Sequence, residues 1–256
     1  MSILEEILDS IKQDDAVKDA RGNSTWIAVW SRYCGLASTF AASEYDETGG
    51  TLLSNDFESL TGTSARELAR SCLSNDPLDA ALGMAALNSL IDVDESQCEE
   101  RNGRDVLLER SAGQNVVLVG HFPFVPELRA AAGRLSVLEL RPRAGDLPAA
   151  EAERVIPEAE VVAITGTTFV NHTIEPLLGY CRPEALVILL GPTTPLSPVL
   201  FEYGVDIISG ARVADPPLVL RQVGNGAGFR EMQGVRRLTM QHPGKLESHH
   251  RGRPLS

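Results

Sequence analysis

Long apolar runs are missing from this chain of 256 residues: none approaches the roughly 20 residues that a membrane helix needs. Nor do the first residues read as a secretory leader. Residues 1–20 form an amphipathic acidic segment, so a cytoplasmic protein is expected. Cysteine is sparse and scattered. Cys34, Cys72, Cys98 and Cys181 make no CxxC pair, which argues against a zinc module or a disulfide framework and fits free thiols in a reducing compartment. HExxH, GxSxG and Ser/His/Asp signatures are absent, so hydrolase readings start without support. Basic charge is also short. The net charge is −12, and all of it falls on residues 1–110, with nine basic and 21 acidic residues against 14 of each from 111 onward. Such a balance argues against nucleic acid as a partner. It leaves two readings open, plain solubility or attraction of a cationic ligand.

Short apolar runs, by contrast, are plentiful in the second half. Val116-Val117-Leu118-Val119 ends in Gly120-His121, Val161 to Ile164 ends in Thr165-Gly166, Leu186 to Leu190 ends in Gly191-Pro192, and Val205 to Ile208 ends in Ser209-Gly210. Continuous β-branched runs of this length read as parallel strands covered on both faces. Strands are expected at 115–119, 135–140, 160–165, 185–190 and 205–209. Helices are expected between them at 126–132, 149–156, 173–180, 198–203 and 216–222, with an added strand at 235–240. The alternation implies right-handed crossovers, and a sheet order of 2-1-3-4-5 is expected.

The first half reads as strands followed by helices. A helix is expected over residues 2–19, strands over 26–33 and 35–40, and acidic Gly-rich loops over 44–50. Ser64-Ala65-Arg66-Glu67 is a capping box for a helix to about Leu73. Asp76-Pro77 opens a longer helix with small residues on its surface. Residues 92–113 are polar and read as a connection. The domains expected are therefore 1–112, α+β; 113–241, an α/β parallel sheet; and 242–256, a disordered tail, whose His249-His250 reads as unstructured chain ahead of the alternative of a metal site.

Ligands of such sheets bind beyond the carboxyl ends of the strands, so the residues found there are the candidates. Gly120-His121-Phe122-Pro123-Phe124 retains only the first glycine of GxGxxG, and bulky Phe122 and Phe124 argue against ordinary dinucleotide binding. Their rings are either packing or a stacking wall. His121 is either a ligand contact or a structural hydrogen bond. Glu139 ends the second strand, where an acid can accept from a ribose; a salt bridge to Arg141 or Arg143 is the alternative. The densest polar cluster, Thr165, Gly166, Thr167, Thr168 and Asn171, precedes a helix start and suits an anion or carboxylate, with Thr173 as a possible cap. His121 and His172, with an acid such as Glu175, could form a metal set if they converge. Gly191, Pro192, Thr193 and Thr194 form either a stiff turn or a rigid pocket wall. Asp215 caps a helix. Asn88 either lends an amide to a cleft or makes an interface hydrogen bond.

Taken together, Val119-Gly120-His121-Phe122-Pro123, Ile164-Thr165-Gly166-Thr167-Thr168-Phe169-Val170-Asn171-His172-Thr173, Gly191-Pro192-Thr193-Thr194-Pro195-Leu196-Ser197-Pro198 and Tyr203-Gly204-Val205-Asp206, with Gly210 and Asp215, resemble the family called "putative heavy-metal chelation", domain of unknown function 364. The segments Gly35-Leu36-Ala37, Glu67-Leu68-Ala69 and Leu82 to Asn88 resemble the DUF4213-like domain that usually precedes it. The resemblance implies an enolase-N-terminal-like α+β domain, then a Rossmann-like domain, with a site between them. It implies binding or handling of a heavy metal, or of a small metal-chelating molecule, in that cleft, with a divalent metal or a metal chelate as the bound group. An enzyme acting on a nucleotide-like or pterin-like molecule in the same cleft is the alternative. Partners expected are a small molecule or metal chelate, with neither nucleic acid nor membrane; a homodimer is compatible with the sequence, which sets no oligomeric state.

Overall fold

The computed structural model describes residues 1–39 and 57–244. The expected acidic loops over 44–50 and the tail from 245, with His249-His250, lie outside the described residues. Helix α1 (Ile3–Ser10) starts at a reciprocal cap: the Ser2 hydroxyl accepts the Glu5 amide, and the Glu5 carboxylate accepts the Ser2 amide. Its stripe of Ile3, Leu4, Ile7 and Leu8 is buried. The expected helix over 2–19 ends at Ser10, because the residues beyond are drawn into other pairings. Asp14 accepts the Ser64 hydroxyl at 2.7 Å and the Arg66 amide at 2.9 Å, and the Val17 amide reaches the Thr63 carbonyl. Residues 19–22 instead form a strand that the helical reading missed.

That strand, β1 (Asp19–Gly22), pairs antiparallel with β2 (Trp26–Trp30), and β2 with β3 (Cys34–Ser38). Ser64 caps α2 (Ala65–Ala69), which tightens into a 3-10 turn ending at Leu73. Asp76 caps α3 (Pro77–Leu90) through the Leu78 and Asp79 amides. Small residues let α3 lie close against its neighbours. A Cβ on Gly35 would stand 2.1 Å from the Ala85 carbonyl oxygen, and one on Gly83 would stand 1.9 Å from the Cys72 nitrogen.

The polar stretch expected as a connection carries regular structure, β4 (Cys98–Glu100) and α4 (Gly103–Arg110). Beyond it come β5 (Asn115–Val119), α5 (Val125–Ala131), β6 (Arg134–Glu139), β7 (Leu147–Pro148), α6 (Ala152–Val155), β8 (Val161–Thr165), α7 (Ile174–Gly179) and β9 (Leu186–Leu190). A 3-10 turn at Pro198–Tyr203, β10 (Ile207–Val213), α8 (Pro216–Gly224) and β11 (Val235–Gln241) complete the chain. The eight-stranded sheet runs β4-β11-β10-β9-β8-β5-β6-β7. All neighbours from β10 to β7 are parallel, while β11 is antiparallel to both β10 and β4. The five expected strands thus take the order 2-1-3-4-5, with the switch of direction between β5 and β8. β10 extends four residues past its expected end because β11 pairs with its whole length. The fold is mixed α/β with a large, mostly parallel sheet. No helix among the described residues is long and apolar enough to cross a membrane.

One core runs from α1 through α3 to β8 and β9. Polar struts tie the two sheets together. The Ser38 amide donates to Thr193 Oγ1 at 2.9 Å, and Asn88 Nδ2 donates to the Leu36 carbonyl at 3.0 Å and the Thr193 carbonyl at 3.1 Å. The Ile3 amide donates to the Glu175 carboxylate at 2.8 Å.

Candidate functional site

Strand β5 leaves the sheet at Gly120, whose φ of +99° turns the chain into a loop that other residues adopt only with strain. The loop is pinned twice. The His121 amide donates to Glu139 Oε1 at 2.5 Å, and His121 Nδ1 lies 2.8 Å from Asp146 Oδ2. The Asp146 side chain is 1% exposed and also accepts the Arg143 amide, so it is a built-in anchor that the sequence did not reveal. Glu139 Oε2 accepts the Leu140 amide. Both oxygens of this carboxylate therefore hold backbone. Phe122 and Phe124 stack with centroids 5.1 Å apart.

Strand β8 ends in a 3-10 turn, Gly166–Phe169, capped by Thr165. Thr165 and Thr167 hydroxyls lie 3.1 Å apart, and the Thr168 hydroxyl donates to the Thr165 carbonyl at 2.7 Å. Thr173, expected as a cap, makes no side-chain capping bond to α7. Its hydroxyl donates instead to Asn171 Oδ1 at 2.7 Å, and its amide reaches the same oxygen at 3.2 Å. Asn171 Oδ1 is thereby engaged, while its Nδ2 has no protein partner among the described residues.

These loops enclose a cavity of about 430 Å³ at the carboxyl ends of β5, β6 and β8. Gly120, Glu139, Thr165, Thr167, Thr168 and Asn171 all line it. So do Ser38 and Thr39 at the end of β3, with Thr173 and Tyr180. Ser38, Thr39 and Tyr180 were not expected; only the approach of the small sheet to the large one places the first two there. The other candidates divide. Phe122, Gly191 and Pro192 line a second cavity. Thr193, Thr194 and Gly166 are buried, and a Cβ on Gly166 would stand 2.4 Å from the Thr194 nitrogen. Asn88 makes the interface hydrogen bonds described above.

The histidines have separate partners. His121 faces Asp146, whereas His172, at φ +57°, sets Nε2 2.9 Å from the Cys72 carbonyl oxygen. Glu175 is engaged at the start of α1. Among the described residues, no group of three or more His, Cys, Asp or Glu is disposed to hold a metal ion. Burial pushes the Cys34 and Cys72 thiols up to about 12 and Cys181 up to about 11, so none supplies a ready thiolate at neutral pH. The donors around the 430 Å³ cavity are hydroxyls, an amide and carboxylates, a set suited to an oxygen-rich organic molecule rather than to a bare soft metal.

The comparisons agree with this architecture. A crystal structure of a DUF364-family protein of unknown function from Desulfitobacterium hafniense DCB-2 superposes with a TM-score of 0.79 at 27% identity, over 94% of this chain and 97% of that one. A second, from Pyrococcus horikoshii, shares the fold with a TM-score of 0.74 at 18% identity, over 94% and 98%. An uncharacterized protein of Methanocaldococcus jannaschii is 32% identical over 152 residues, which are 55% of this chain and 57% of that protein, so the match spans little more than half of the curated relative. The DUF4213 model, described as "Putative heavy-metal chelation", matches residues 4–91, and the DUF364 model, with the same description, matches residues 102–241. The chain belongs to the DUF364 family.

Proposed function

We propose that the cavity at the ends of β5, β6 and β8 binds a small oxygen-rich organic molecule, and that metal handling in this protein acts on metal already held by such a chelator. The observation that carries the reading is the lining: Thr165, Thr167, Asn171 and Thr173 from one loop face Ser38 and Thr39 from the small sheet. Size supports it. The cavity of about 430 Å³ falls in the range of small-molecule sites, whereas a body the size of one water, about 30 Å³, would fill under a tenth of it. The donor chemistry fits a chelate whose outer hydroxyls and carboxylates meet protein hydroxyls and amides, with the metal as cargo. The family description points to the same cargo.

Native mass spectrometry of untagged protein, purified without chelators and then incubated with ferric citrate as a probe, tests it. The expected result is the added mass of an organic molecule, with or without metal, that is lost in a Thr167→Val, Asn171→Leu double variant. A bare metal ion bound without an organic component, an adduct the double variant keeps, or no adduct either as purified or with the probe would overturn it. The second reading, an enzyme acting on a nucleotide-like or pterin-like molecule in this cavity, draws on Glu139 at the end of β6. It fails if no adenosine or pterin compound raises the melting temperature.

A further inference from the structure

We infer that the second cavity is a separate binding site for a planar aromatic phosphomonoester. This cavity, of about 400 Å³, lies at the carboxyl end of β9 and beside Ser209 and Gly210 in the middle of β10, and shares only the β5 exit loop with the first. Its chemistry is different. Gly120 borders the oxygen-rich cavity, but Phe122 and Phe124 turn to this one, as a stacked pair. Phe229, from the segment after α8, reaches the same space and is held from behind by Trp26 at 5.4 Å. Rings from two distant segments thus converge on one volume, the arrangement that accepts a flat aromatic body.

The charge is the second observation. Arg104, Arg230 and Arg237 line this cavity in a chain whose net charge is −12. Arg104 is compensated, since its Nε donates to Glu127 at 3.0 Å. Arg230 and Arg237 have no carboxylate partner among the described residues, and Arg237 lies over the Phe229 ring at 5.4 Å. Two uncompensated guanidiniums match a phosphomonoester, which carries a charge of about −1.5 to −2 at pH 7. Guanidinium also suits phosphate by its forked donor geometry. The backbone of Gly191, at φ +112°, and of Gly210 borders the same space. The inference is independent of the reading of the first cavity, because the two share no lining residue.

Isothermal titration calorimetry of the full chain with AMP and with FMN tests it, with adenosine and inorganic phosphate as controls. Binding of at least one nucleotide is expected, at least about tenfold tighter than either control, because ring and phosphate are both recognised. An Arg230→Ala, Arg237→Ala double variant is expected to lose about tenfold or more in affinity. Both side chains are exposed, so the variant keeps its fold. Asn171→Leu, in the other cavity, is expected to leave nucleotide binding unchanged. No binding of either nucleotide, phosphate binding as tightly as the nucleotide, or an affinity that falls with Asn171→Leu and not with the arginine variant would overturn the inference.

Discussion

Thr193 Oγ1 accepts the backbone amide of Ser38 at 2.9 Å, across the seam between the small sheet and the large one. Thr193 is 1% exposed, and its carbonyl also accepts from Asn88. The bond therefore fixes the end of β3, where Ser38 and Thr39 border the oxygen-rich cavity, against the loop after β9. Thr193→Val keeps the shape and removes the acceptor, leaving a half-buried amide unpaired. A loss of about 1–3 kcal/mol in urea unfolding is expected. A loss under about 0.5 kcal/mol would mean that water replaces the hydroxyl and that the seam does not depend on it.

The packing of α3 predicts a contrast between two glycines. Gly83→Ala places a methyl 1.9 Å from the Cys72 backbone nitrogen, so helix and turn must separate. A destabilisation of at least about 3 kcal/mol is expected. Gly179→Ala, at the end of α7, meets nothing within 4 Å and is expected to be neutral or to stabilise by up to about 1 kcal/mol. Thermal melts of the two variants side by side check this; equal melting temperatures would contradict the close approach at Gly83.

Acid sensitivity has a traceable source in Asp14. Partial burial raises its carboxyl, but hydrogen bonds from the Ser64 hydroxyl and the Arg66 and Asp15 amides outweigh it and hold the group below its ordinary 3.8. A depressed carboxylate contributes stability that is present above pH 3.8 and is lost as pH falls through the lower folded value. Asp14→Asn is expected to lower stability at neutral pH and to flatten the acid limb of the stability profile. Parallel acid limbs for wild type and variant would assign the loss to other groups.

The thiols should titrate late. Burial pushes Cys34 and Cys72 up to about 12, so the neutral thiols contribute stability below pH 9.0 that is lost as pH rises toward 12. Cys98, half-exposed, is raised by burial and by Glu95 and Asp94. Iodoacetamide labelling of folded protein at pH 8, read by peptide mass spectrometry, is expected to modify Cys98 well before Cys34 and Cys72. Equal rates at all three would show that the core opens on the labelling timescale.

Much of the second half was legible because its signals are local. Val116–Val119, Val161–Ile164 and Leu186–Leu190 are apolar throughout, the pattern of a short strand covered on both faces, and their glycine or threonine ends mark the carboxyl edge. Ser64 and Asp76 were readable as caps because a cap bonds amides two or three residues ahead. The misreadings occur where distant partners win. The helical stripe of Ile3, Leu4, Ile7 and Leu8 ends at Ile11, and the expected helix was carried past it to residue 19, where Asp14 and Val17 instead bond to the segment around Ser64. Residues 92–113 look like a polar connection, yet Glu95 and Glu100 pair with Arg236 of β11, at 2.7 and 3.0 Å.

The sequence by itself determined the parallel strands, their order and the loops in which the candidate residues lie, because periodicity, caps and turn residues act over a few positions. Only the tertiary structure decided which candidates share a space. It placed Gly120, Glu139, Thr165 and Asn171 around one cavity, sent Phe122, Gly191 and Pro192 to another, and gave His121 and His172 separate partners. Those outcomes depend on φ at single glycines and on contacts between residues 100 or more positions apart, such as His172 with Cys72 and Ser38 with Thr193, which no local pattern encodes.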